Sequence, residues 1–96
     1  MQKIIEVSQE RIAEGHPNDP YCCPIALAVR EHFPEADRVD VGSESIDVVL
    51  PTHTLTTMLP DLARAFVRSF DDGEQVGPFS FTAGFTVISY SERFHV

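Results

Sequence analysis

The stretch Tyr21-Cys22-Cys23-Pro24-Ile25-Ala26-Leu27-Ala28-Val29-Arg30 constrains the fold more than any other part of the chain. Pro24 suits the first position of a helix, where its missing N–H costs nothing. Ile25, Ala28, Val29, His32 and Phe33 recur at helical spacing, so a helix is expected over residues 24–33, stopping before Pro34. Ala26 and Leu27 leave the second face only partly polar, with Arg30 and Glu31 supplying its charge. A helix this apolar must be covered on two sides. The fold therefore has to wrap other elements around residues 24–33.

Elsewhere the pattern alternates. Residues 3–7 read as a strand, and Ser8 is a good N-cap for a short helix over residues 9–14 that Gly15 ends in a left-handed turn. Residues 16–20, His-Pro-Asn-Asp-Pro, are dense in turn formers. Residues 38–41 and 45–48 alternate around Gly42-Ser43-Glu44, a hairpin, and residues 54–58 are β-branched enough for a third strand. Pro60 opens another helix, with Leu62, Ala63, Phe66, Val67 and Phe70 as its buried stripe, Arg64 and Arg68 on the opposite side, and Asp71-Asp72-Gly73 closing it. Residues 76–82 form a further strand with Phe79 and Phe81 on one face, and residues 84–90 one more. The order β-α-α-β-β-β-α-β with a final β predicts an α+β fold: a small, mainly antiparallel sheet with two or three helices on one face. With 96 residues the chain is read as a single domain, residues 1–96, in which residues 83–96 are an extended C-terminal tail or an extra strand. An open sheet face on so small a domain favours a homo-oligomer.

Charge and cysteine usage narrow the classes of function. Fifteen acids against seven bases give a net charge of −8, which repels a phosphate backbone and argues against direct DNA or RNA binding. The acids are scattered, as on a solvated surface. No apolar run is long enough to span a membrane, and the N-terminus lacks the pattern of a signal peptide, so a cytoplasmic location is expected. The two cysteines are adjacent, a poor geometry for a disulfide with each other and consistent with a reducing compartment.

Three kinds of site present themselves. Backbone N–H groups at the start of the helix, near Cys23, can hold an anion, with Tyr21 stacking or donating a hydrogen bond and Arg30 or Arg68 neutralising charge. The ligand-binding candidates are thus Tyr21, Cys22, Cys23, Pro24, Arg30 and Arg68. The plainer alternative is that Tyr21, Cys22 and Cys23 seat the helix in the core. A catalytic thiol at Cys22 or Cys23, with His16, His32, His53 or His95 as base, stands in no recognised hydrolase signature. A metal site from His16, Cys22, Cys23 and His32 lacks the two-residue gap that lets two thiolates face one ion, and His32 falls on the apolar stripe. Neither a catalytic residue nor a metal or cofactor is assigned. Phe85, Tyr90 and Phe94, with Arg93 and His95 beside them, either cover a sheet edge, cross to a partner subunit or belong to a loose end.

Two segments, Cys23-Pro24-Ile25-Ala26-Leu27-Ala28 and Phe70-Asp71-Asp72-Gly73-Glu74-Gln75-Val76-Gly77-Pro78-Phe79-Ser80-Phe81, together with the opening Ile4-Ile5-Glu6-Val7-Ser8-Gln9-Glu10, resemble a family of small accessory proteins encoded by bacteriophages and prophages. The resemblance covers most of residues 2–82 and brings no catalytic motif with it. It implies a setting in which small phage proteins act against host immunity. The expectation is a non-catalytic anti-defence protein that sequesters a nucleotide-derived immune signal. The alternative is an acidic inhibitor that binds a host defence protein directly.

Overall fold

A computed structural model of the chain describes residues 1–90. The elements run β1 (Gln2–Val7), α1 (Gln9–Glu14), α2 (Pro24–Arg30), β2 (Arg38–Val41), β3 (Ser45–Val49), β4 (His53–Met58), α3 (Asp61–Asp71), β5 (Phe79–Gly84) and β6 (Thr86–Tyr90). The class is α+β and every strand pairing is antiparallel. The strands divide into a two-stranded ribbon, β1-β5, and a four-stranded sheet in the order β2-β3-β4-β6. Phe85 is the point of division. It is buried between β5 and β6, and its N–H donates to the Met1 carbonyl while the N-terminal ammonium donates to the Phe85 carbonyl. The chain thus finishes the ribbon at Phe85 before entering the larger sheet. Phe94, Arg93 and His95 lie outside the described residues.

The hydrophobic alternation explains the strands. Val39, Val41, Ile46, Val48, Leu55 and Thr57 all face inward and are buried. On the ribbon Ile5, Val7, Phe81 and Ala83 do the same. α2 packs against α1, β1 and β2, which is why Pro24, Ile25, Ala26, Ala28 and Val29 are all buried. The regular helix ends at Arg30, earlier than residue 33. The His32 and Phe33 N–H groups instead bond back three residues, to Val29 and Arg30, in tight turns ahead of Pro34. Phe33 stays in the core, edge-on to Phe85 at 5.2 Å between centroids, whereas His32 is only half-buried.

Three expectations need correction. Leu62 does not join the buried stripe of α3 and is 60% exposed. Phe66 and Phe70 stack on each other, and Phe66 meets Phe79 of β5 at 4.7 Å, so the covering layer ends before the first turn of α3. β5 begins at Phe79 because Pro78 has no N–H to give to a ladder. Gly15 is not left-handed: its φ is −72°. A Cβ there would lie 2.5 Å from Pro24 Cδ, so the glycine is required by the close approach of α1 to the start of α2. The left-handed glycine is Gly73, φ 78°, just past α3. Among the described residues no helix is long and apolar enough to cross a membrane.

Candidate functional site

The contact of Gly15 with Pro24 brings the ends of the 16–22 loop together, and the His16 N–H closes it by donating to the Cys22 carbonyl at 2.9 Å. Asn18 turns the loop at φ 60°, a conformation its short polar side chain tolerates. Its backbone N–H donates to Asp71 Oδ1 at 2.8 Å and its Nδ2 to the Asp71 carbonyl at 3.3 Å, fastening the loop to the end of α3. On the other side the Val41 N–H donates to the Pro20 carbonyl at 2.8 Å, fastening it to β2. An open cleft of about 320 Å³ lies between these anchors, with Asp19, Asp71, Asn18, Ser43 and Cys23 among its walls and Val41 and Val67 as apolar lining.

The backbone donors of the loop that leads into α2 are used internally. The Tyr21 and Cys22 N–H groups donate to Asp19 Oδ1 at 3.0 and 3.2 Å. Pro24 has no N–H. Cys23 is the N-cap residue and is 5% exposed. Burial pushes its thiol above the ordinary 9.0, the N–H groups of Ala26 and Ile25 oppose that rise, and the nearby Asp71 and Asp19 carboxylates add to it. A protonated thiol at neutral pH is a poor nucleophile. The Asp19 carboxylate thus holds the donors of the loop leading into α2 and sets a negative charge beside the helix start.

The sequence candidates are only partly brought together. Cys23 lines the cleft. Tyr21 is exposed beside it, with its N–H committed to Asp19, and Cys22 is half-buried outside the cleft wall. Pro24 is buried under Gly15. Arg30 and Arg68 do not line the cleft, contrary to expectation. Arg30 ends a seven-residue helix, placing its backbone roughly 10 Å along the axis from the cap. Arg68 is exposed one residue round from Val67, and it is Val67 and Asp71, four apart, that face the cleft. Asn18, Asp19, Ser43 and Asp71 are site residues that sequence reasoning missed. Asp19, two positions ahead of Tyr21, has the spacing of an Asx-turn, a readable signal. Asp71 is delivered by tertiary packing alone.

His16 is exposed in its loop, and His53 lies 6.3 Å from Tyr90, ring to ring. Among the described residues no group of three or more His, Cys, Asp or Glu is placed to hold a metal ion. His95 lies outside the described residues. Electrostatically the cleft has two carboxylates, no cationic lining and, among the described residues, no ion pair to either acid. It suits a hydrogen-bond donor carrying positive charge. No protein-family model, curated protein or solved structure matches the chain.

Proposed function

We propose that this protein works by direct contact with a basic protein partner, receiving a guanidinium or ammonium side chain in the acidic cleft, and that it does so without catalysis. The observation that carries this reading is that Asp19 and Asp71 both line a cleft whose lining holds no cation. The net charge of −8 favours the same class of partner. The resemblance to phage accessory proteins supplies the setting, an inhibitor that occupies a host defence protein. Sequestration of a nucleotide signal fits this cleft less well. A phosphate oxygen about 4 Å from one carboxylate costs on the order of 4 kcal/mol at an effective dielectric of 20, and neither Arg30 nor Arg68 is there to offset it.

The test uses Ser43→Lys, which sets an ammonium at the cleft on an exposed turn, and Glu10→Gln, which makes the same unit change of charge on exposed α1. Calorimetry with an arginine-rich peptide should show binding that weakens with salt, weakens further in Ser43→Lys and changes little in Glu10→Gln. A cyclic dinucleotide should give no saturable heat. Stoichiometric uptake of the cyclic dinucleotide, strengthened by Ser43→Lys, would restore the signal-sequestering alternative. Equal effects of the two substitutions would remove the cleft from the binding surface.

A further inference from the structure

Residues 9–22 cover the most apolar helix of the fold without burying anything of their own. No residue of this segment is buried, whereas all of residues 23–29 except Leu27 are. α1 is six residues long, too short to hold its shape unsupported. Its apolar tie to the core is Ile12, itself only partly buried, and Gly15 rests against Pro24. The other ties are polar. Arg11 meets Glu31 at 3.3 Å with both side chains part exposed, Asn18 holds Asp71, and the Pro20 carbonyl takes the Val41 N–H. Exposed ion pairs and hydrogen bonds of this kind stabilise weakly, because water replaces them when they break. Within the segment the links are continuous. Ser8 caps α1, the Gly15 N–H donates to the Arg11 carbonyl, the His16 N–H donates to the Cys22 carbonyl, and Asp19 accepts from the Tyr21 and Cys22 N–H groups.

We infer that residues 9–22 are a strap that opens as one unit while α2 and the strands keep their packing, and that the cleft exists only while the strap is closed. Segments with few buried contacts and exposed hydrogen bonds open at free energies below that of global unfolding. The core beneath does not depend on the strap, since α2 also packs on β1 and β2. Asp19 lies on the strap, and Asp71 lies outside it at the end of α3. Opening therefore takes the two carboxylates apart. A cation held in the cleft favours the closed form by mass action. That last step rests on the reading of the cleft as a cation site; the opening itself does not.

Native-state hydrogen exchange of the full chain over a series of low urea concentrations tests this. The Gly15, His16, Asn18, Tyr21 and Cys22 amides should share one opening equilibrium with a small urea slope, at least about tenfold more open than the amides of β3 and β4. Ile46→Val, on the buried face of β3, should speed exchange in β3 and β4 about threefold and leave the strap amides unchanged, because the closed and open forms both keep that contact. Ile12→Ala should speed all five strap amides by one common factor of about threefold or more. Strap amides that open at different equilibria, that respond to Ile46→Val by the same factor as the strands, or that divide between α1 and the loop in Ile12→Ala would overturn the inference. An added arginine-rich peptide should slow the five strap amides together. If the free protein behaves as described and the peptide leaves that exchange unchanged, the cation reading of the cleft fails and the strap stands.

Discussion

Gly15→Ala separates two explanations of the same glycine by the sign of its effect. Gly15 has φ −72° and ψ 157°, a conformation alanine adopts freely. If the glycine served only to end α1, alanine would stabilise the protein by about 0.4–1 kcal/mol by restricting the unfolded chain. The added Cβ, however, would lie 2.5 Å from Pro24 Cδ, 2.6 Å from Pro24 Cγ and 2.8 Å from Pro24 N. Carbon contacts normally sit at about 3.5–4.0 Å, so α1 or the start of α2 must retreat by roughly 1 Å. Pro24 is a rigid ring at a buried position, with no rotamer through which to yield. Overpacking of this kind costs about 1–3 kcal/mol, which exceeds the entropic gain. The net expectation is a loss of about 1–2 kcal/mol, or roughly 4–16 °C in melting temperature for a domain of this size. Urea titration should show a lower midpoint with an unchanged slope. Because the same contact closes the 16–22 loop, the His16 amide should also lose exchange protection. Gly73→Ala is the contrast: φ is 78° and no atom lies within 4 Å, so its cost comes from backbone strain alone. A Gly15→Ala protein as stable as the wild type, or more so, would refute the close-approach argument.

Asp19→Ala removes the side-chain acceptor for the Tyr21 and Cys22 N–H groups and should cost about 1 kcal/mol in urea titration, as for loss of a hydrogen bond. The raised pKa of Cys23 predicts an alkaline decline in stability. Below its ordinary 9.0 the thiol is protonated in both states and stability is flat; as pH rises from there toward the higher folded value, only the unfolded chain ionises and stability falls. Cys23→Ala should flatten that slope, and alkylation of the native protein should reach Cys22 at least about tenfold faster than Cys23. Phe85→Ala, which empties the junction of ribbon and sheet opposite Phe33, should cost about 3–5 kcal/mol by thermal or chemical denaturation.

The strands were legible in the sequence because period-two alternation is a local signal: residues 38–41 and 45–48 read as a hairpin, and β2 and β3 pair as one. The burial of α2 was legible for a related reason, since an apolar helix with so few charges has to be enclosed. Leu62 was misread because helical periodicity predicts a face but not where the neighbouring layer ends. Gly15 was misread because a steric requirement between α1 and Pro24 leaves no trace in local propensity. The site was harder still. The helix start at Cys23 is plain in the sequence, and so is the Asx-turn spacing of Asp19 to Tyr21. The approach of Asp71 from the end of α3, which makes the cleft acidic, depends on packing between distant segments. The arginines were assigned by charge alone, and the length of α2 together with the angular offset of Arg68 from Val67 takes both away from the cleft.

The central claim is that Asp19 holds the Tyr21 and Cys22 donors just ahead of α2 and that its cleft accepts cations. Amide chemical shifts of the full chain, followed while inorganic phosphate and then an arginine-rich peptide are added, test it most directly. The account predicts that phosphate leaves the Tyr21 and Cys22 amides unmoved and that the peptide shifts Asn18, Cys23 and Asp71. Saturable movement of the Tyr21 and Cys22 amides by phosphate would contradict it.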